Sequence, residues 1–69
     1  SESMNKLAQT LERRYDVKIN FKDEEIKQFR FSGTFKNETI EQVLAALKLA
    51  APIEYQMEDR DIWISTKDN

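Results

Sequence analysis

The apolar residues near the start of the chain recur at the spacing of a helix. Neighbours are separated by three or four positions, so these side chains share one helical face between residues 4 and 15. Ser3 stands just before the first of them and is predicted to be the N-cap. The apolar residues of this face are Met4, Leu7, Ala8, Leu11 and Tyr15.

Residues 38–50 repeat the helical spacing and end before Pro52, which cannot continue a helix. Asn37 is one candidate for the N-cap of this second helix. Thr39 and Gln42 also match a capping box, so the sequence leaves the start of the helix open by two positions. The apolar face consists of Ile40, Val43, Leu44 and Leu47.

Four stretches alternate apolar and polar residues, which is the period of a strand with one buried face. They cover residues 17–21, 29–35, 53–57 and 61–65. The single glycine, Gly33, falls in the second stretch and indicates a bulge or a close approach of another element. Together with the helices, these strands predict an α+β fold with the order α-β-β-α-β-β.

The first helix and strand return 36 residues later in a common register. Eight apolar positions fall on eight apolar positions, and the match continues through the turn between helix and strand. This pattern predicts a duplicated helix-strand unit within one domain. The pairs are Met4 with Ile40, Leu7 with Val43, Ala8 with Leu44, Leu11 with Leu47, Tyr15 with Ala51, Val17 with Ile53, Ile19 with Tyr55, and Phe21 with Met57.

The repeat also predicts a strand upstream of the chain. The strand at residues 29–35 precedes the second helix, whereas its counterpart would fall before residue 1. We therefore expect residues 1–69 to be a single domain and a C-terminal fragment of a larger protein. Strand 29–35 would then lack a neighbour on at least one side, and we expect it to pair with its twin in a homodimer.

The two helices differ on the side away from the predicted core. Arg13 is polar, as a solvated position should be, but its counterpart is Leu49, with Ala45 and Ala46 nearby. The second helix is therefore apolar nearly all round and is predicted to be covered on two sides. A position between two small sheets and a place in a partner's groove are both consistent with this pattern.

Composition narrows the chemistry available to the chain. Its 69 residues include no His and no Cys, which removes the most common catalytic bases, nucleophiles and transition-metal ligands. A net charge of −2 does not attract the negatively charged backbone of nucleic acid. No apolar run is long enough to span a membrane. The acidic run at residues 23–25 is interpreted as a solvated turn. We expect no enzyme activity, no cofactor or metal, and no contact of this segment with nucleic acid or membrane.

Trp63 is the first candidate for contact with a protein partner. It lies between two predicted core residues and so faces outward, together with Asp61 and Ser65. A large rigid ring at the surface is typical of an interface, and this last strand is expected to lie close to a sheet edge. The alternative is that Trp63 packs across the sheet on neighbouring side chains such as Lys18 or Gln56.

A second candidate surface lies on the strand at residues 29–35. An unpaired strand edge is a template for an incoming strand. Phe31, Ser32 and Thr34 are therefore predicted to bind a partner by strand addition.

Four runs of residues, 11–19, 30–35, 37–44 and 61–64, together cover nearly the whole chain. The most specific part is the Phe-Ser-Gly-Thr-Phe sequence that precedes the second helix. In these runs the sequence resembles the C-terminal domain of FecR-like anti-sigma factors. Trp63 departs from the smaller residue expected at its place in that family.

The resemblance implies a domain similar to the short secretin/TonB N-terminal domain, with two helices between two small sheets. It also implies the periplasmic end of a protein that crosses the inner membrane once. In this family, the periplasmic part receives a signal from the signalling domain of an outer-membrane TonB-dependent transducer. The signal passes to an extracytoplasmic-function (ECF) sigma factor, which is bound through the N-terminal part of the protein. The alternative is an assembly module of a secretin or another envelope complex.

Overall fold

Two α-helices and five short strands form the fold of residues 1–67, the part of the chain that the computed structural model describes. The predicted α+β order is confirmed, with one additional short strand before the first helix. The elements are β1 (Glu2–Ser3), α1 (Met4–Tyr15), β2 (Lys18–Phe21), a 3-10 helix (Glu24–Gln28), β3 (Arg30–Phe31), α2 (Ile40–Ala50), β4 (Ile53–Glu58) and β5 (Asp61–Thr66).

Both helices begin at a hydroxyl side chain that caps the first turn. The Lys6 N–H donates to Ser3 Oγ at 3.2 Å, which confirms the predicted cap of α1. In α2, the Gln42 N–H donates to Thr39 Oγ1 at 3.2 Å, and the Thr39 N–H donates back to Gln42 Oε1 at 2.9 Å. The capping box is therefore the correct start of α2, and Asn37 is not its N-cap.

The larger sheet has three strands in the order β2-β5-β4. β5 is parallel to β2 and antiparallel to β4, to which the Asp59-Arg60 turn joins it. The expectation that this last strand lies near a sheet edge is wrong, because β5 is the central strand. Ile62 and Ile64 of β5 are buried and lie opposite Ile19 and Phe21 of β2. The two edges of the sheet are β2 and β4.

The smaller sheet pairs β1 with β3 over two residues, with Glu2 opposite Phe31 and Ser3 opposite Arg30. The predicted strand at 29–35 is therefore wrong beyond Phe31. Gly33 has φ of +111°, which turns the backbone out of the extended conformation. Beyond its two chain neighbours, no atom lies within 4 Å of a Cβ placed on Gly33, so this glycine is required by the backbone turn and not by a close approach of another element.

The pairing with β1 also changes the expectation for the edge of β3. Glu2 and Ser3 supply one of its neighbours from within the chain, and only the other side of β3 is open. Pairing of this strand with its twin in a second copy stays a prediction.

One apolar core joins both helices, the larger sheet and the 3-10 helix. The predicted core residues of the helices lie in it, and equivalent positions of the two repeats are buried together, for example Leu11 with Leu47. In the two helices, the duplicated unit therefore places the equivalent core side chains at equivalent depth; on the strands, Val17 and Ile53 differ in burial, as do Ile19 and Tyr55. The buried residues are Met4, Leu7, Ala8, Leu11, Ile19, Ile26, Ile40, Val43, Leu44, Leu47, Ile53, Ile62 and Ile64.

The side of α2 that faces away from the core is open to solvent. Leu49 is 91% exposed, and Ala45, Ala46 and Ala50 on the same helix are also exposed. Of the two predicted forms of cover, the small sheet is wrong for this side of the helix, because β1 and β3 are two residues long and leave it uncovered. Cover by a partner's groove stays a prediction. Neither helix within residues 1–67 has the length and apolar character needed to cross a membrane.

Candidate protein-binding surfaces

The first predicted group, Asp61, Trp63 and Ser65, lies on the outer face of the larger sheet. All three residues are half-buried. Trp63 stands opposite Asn20 on β2 and Gln56 on β4, in the central strand of the sheet. Because it is only half-buried, it is accessible in part to a partner, and its role in binding stays a prediction.

The second predicted group, Phe31, Ser32 and Thr34, lies in a different place. These residues line an apolar cavity of about 230 Å³, whose other wall is formed by Leu7 of α1 and by α2. Phe31 packs against the core, whereas Ser32 and Thr34 are exposed. The structure thus does not join the two predicted groups into one site: one lies on the outer face of the sheet, and the other lies beside the helices. The α2 residues of the cavity wall are Ala46, Leu47 and Ala50.

The loop that closes this cavity is held by the end of α1. Arg14 Nη1 donates to the Phe35 carbonyl oxygen at 2.5 Å, and Tyr15 Oη donates to the Glu38 carbonyl oxygen at 2.6 Å. The Lys36 N–H donates to Glu38 Oε1 at 2.7 Å. Hydrogen bonds from the backbone N–H groups of Glu38 and Lys36 lower the pKa of the Glu38 carboxyl, because they favour its charged form.

The acidic run at residues 23–25 contains a structural carboxylate. Asp23 Oδ2 accepts the Thr66 N–H at 2.9 Å and the Thr66 hydroxyl at 3.1 Å, so it fastens the end of β5. The interpretation as a solvated turn is wrong for Asp23 and correct for Glu24 and Glu25, which are exposed. Within residues 1–67, no three His, Cys, Asp or Glu residues are grouped so that they could hold a metal ion.

A third surface lies on the solvent side of α2, around the apolar residue Leu49. Leu49 was expected to be covered, yet it borders an open depression of about 480 Å³ on the solvent side of α2. Ile53 and Tyr55 of β4 form another border of the depression, and Lys48 and Lys67 supply positive charge. The signal in the sequence was the change from Arg13 to Leu49 between equivalent positions; the exposure itself required the structure.

The two edges of the larger sheet differ at the backbone. On β2, the Ile19 N–H points away from β5 and donates to Glu12 Oε2 at 2.8 Å, so a side chain satisfies it. At the end of the hairpin, the Lys67 N–H donates to the Pro52 carbonyl oxygen at 2.8 Å, so these two residues form a hydrogen-bonded pair. In an antiparallel ladder, such pairs recur at every second residue, and the residues between them point their backbone groups away from the partner strand. Tyr55 and Met57 of β4 are residues of the second kind, so their N–H and C=O groups point away from β5, towards solvent.

Comparison with known proteins identifies the family of the chain. The family described as FecR, C-terminal, matches residues 1–64 of the 69-residue chain. This chain belongs to the FecR C-terminal family. No curated protein and no solved structure matches the chain.

The FecR family consists of regulatory anti-sigma factors, and the FecR C-terminal domain fits the periplasmic portion of such a protein. All four runs that carry the resemblance lie within the matched residues. The exposed side of α2 and the open edge of β4 also lie within the matched residues.

Proposed function

We propose that this domain is the periplasmic receiver of a FecR-like anti-sigma factor. It binds the signalling domain of a TonB-dependent outer-membrane transducer and passes the signal to an ECF sigma factor through the N-terminal part of the same protein. The observation that carries the proposal is the family match over residues 1–64. The match also favours this function over that of a secretin-type assembly module.

The receiver acts by contact. A partner can shift the state of the whole protein only by binding one of its states more tightly than the other, so the domain needs a defined contact surface and not a catalytic group. The half-buried ring of Trp63 offers rigid contact area at low entropic cost, with Asp61 and Ser65 beside it. Phe31, Ser32 and Thr34 offer a second contact at the cavity beside α2.

Localisation follows from the same proposal. The signalling domain of an outer-membrane transducer reaches the periplasm, so its receiver must stand there as well. We propose that residues 1–69 form the periplasmic end of a protein with one span in the inner membrane.

Calorimetric titration tests this function directly. The purified domain is titrated with the signalling domain of each TonB-dependent transducer encoded in the same genome. We expect one of them to bind saturably in a 1:1 complex and the others not to bind. If none binds to this domain or to the complete periplasmic part of the protein, the proposed receiver function is wrong.

A further inference from the structure

The edge strands of the two repeats, β2 and β4, differ in whether a side chain accepts an outward N–H of the backbone. In the first repeat, Glu12 on α1 accepts the outward N–H of Ile19 on β2 at 2.8 Å. The positions 36 residues later are Lys48 on α2 and Tyr55 on β4. A lysine ammonium group has donors only, so Lys48 cannot accept the N–H of Tyr55.

The residue after the cap position also differs between the two repeats, and it too leaves the edge of β4 more open to a partner. Arg13 on α1 is exposed and charged, whereas its equivalent Leu49 is apolar and 91% exposed. Within residues 1–67, Leu49 is the large hydrophobic side chain that lies open to solvent. The second repeat therefore lacks the side-chain cap of its edge strand and presents an apolar side chain beside that edge.

We propose that the open edge of β4 is a strand-addition site, at which an extended segment of a partner protein becomes the fourth strand of the larger sheet. The N–H and C=O groups of Tyr55 and Met57 would form the new ladder, and Leu49 would cover the inner side of the added strand. β2 is not an equivalent site, because Glu12 already occupies its edge.

The charges around β4 define the segment that fits. On the outer face of the sheet, Glu54 and Glu58 of β4 are exposed, with Gln56 between them. On the inner side, Lys48 and Lys67 border the depression beside Leu49. An added strand is therefore favoured when basic residues face outward, opposite the two glutamates, and apolar residues face inward, where the two lysines disfavour a further base.

A second copy of this chain does not meet these requirements. Pairing β4 with the β4 of another molecule would place four carboxylates, Glu54 and Glu58 from each copy, on one face of the new ladder without a base among the β4 residues. Like charges on neighbouring strands destabilise pairing. The occupant is thus a segment of a different protein, with apolar and basic residues in alternation.

This inference rests on the proposed function for the identity of the partner, because the segment would belong to the transducer's signalling domain. The edge itself is tested with a defined probe. A fluorescent peptide of about eight residues, long enough to cover a six-residue strand, alternates valine and lysine; its control replaces every lysine by glutamate.

We expect the basic peptide to bind the domain about tenfold more tightly than the acidic peptide in an anisotropy titration, since two cross-strand charge pairs are at stake. The double variant Glu54→Lys, Glu58→Lys should reverse this preference. Equal binding of both peptides, or a preference that the double variant does not change, would overturn the assignment of this edge.

A second variant restores the cap that the first repeat contains. Lys48→Glu places a carboxylate where it can accept the Tyr55 N–H, so it should reduce binding of the basic peptide and of the signalling domain by about tenfold or more while leaving the melting temperature intact. Lys6→Glu, on α1, makes the same charge change away from this surface and should leave both affinities unchanged. If the signalling domain binds wild type and Lys48→Glu equally, the edge is wrong and the receiver function stands. If it binds neither protein while the peptide distinguishes them, the receiver function is wrong and the edge stands.

Discussion

Ser3 and Thr39, which stand 36 positions apart, cap the two helices with the same hydrogen bond at the same length. Each hydroxyl accepts the N–H three residues ahead at 3.2 Å, and each helix begins at the next residue. The repeat is therefore conserved in the molecule down to the atoms that start its helices. Glu12-Arg13 and Lys48-Leu49 stand at equivalent positions of these two helices, and there the repeats differ.

The two caps should contribute similarly to stability. Ser3→Ala and Thr39→Ala each leave an N–H at a helix start without its acceptor, so each should lower the free energy of unfolding by about 1 kcal/mol. Urea denaturation measures the loss. Thr10→Ala is the control, because the Thr10 hydroxyl only donates to the Lys6 carbonyl oxygen on an exposed turn of α1. A cap variant as stable as the control would contradict the assignment of that cap.

Leu47 and Leu49 lie two positions apart on α2 and have opposite environments. Leu47 is buried in the core, so Leu47→Ala should lower the free energy of unfolding by about 2–5 kcal/mol, enough to unfold much of so small a domain. Leu49→Ala makes the same chemical change at a position that is 91% exposed and should leave stability nearly unchanged. Thermal denaturation of both variants checks the pair, and an unchanged melting temperature for Leu47→Ala would disprove the core assignment.

Glu38 should make the stability of the folded domain depend on pH in the acidic range. The pKa of its carboxyl is lowered in the folded state, so the folded protein binds fewer protons than the unfolded chain does. Its contribution to stability is complete above the ordinary glutamate pKa of about 4.3 and is lost as the pH falls through the lowered value. Melting curves should show wild type more stable than Glu38→Gln near neutral pH, with the difference vanishing in acid. A difference that stays constant with pH would refute this role of Glu38.

Trp63→Ala should separate binding from folding. The ring is half-buried on the outer face of the central strand, so its removal should lower stability by about 1 kcal/mol or less, the value of a cross-strand pair. Loss of a rigid aromatic contact should weaken binding of the transducer's signalling domain by about tenfold or more. Gln9→Ala, at an exposed position of α1 away from both surfaces, is the control. Unchanged affinity together with a large loss of stability would show that Trp63 is only a packing residue.

The helices and their core were predictable from the sequence, because apolar residues at helical spacing lie on one face of the helix and that face must be buried. Leu7 and Leu11 are two such residues, and both are buried. The order of strands was not, since alternation shows that β5 has a buried face but not which strands flank it. The strand at 29–35 failed at Gly33, where a positive φ breaks an alternation that the sequence continues through Phe35.

The candidate surfaces were only partly predictable for a related reason. Hydropathy identified Leu49 as apolar, but the sequence does not state how far the neighbouring strands extend, and β1 and β3 proved too short to cover it. Likewise, the open edge of β4 follows from the strand order and the Lys67–Pro52 hydrogen bond, and its contrast with β2 follows from the bond between Glu12 and Ile19. Side-chain caps of strand edges leave no periodic signal.

Amide hydrogen exchange at Ile19 and Tyr55 tests the central claim most directly, because the two N–H groups are equivalent in the repeat and only one is capped. In the free domain, the Ile19 amide should exchange more slowly than the Tyr55 amide. Saturation with the signalling domain of the cognate transducer should slow exchange at Tyr55 and Met57 by about tenfold or more and leave Ile19 unchanged. Exchange at Tyr55 that is equally fast in the free domain and in the saturated complex would contradict strand addition at β4.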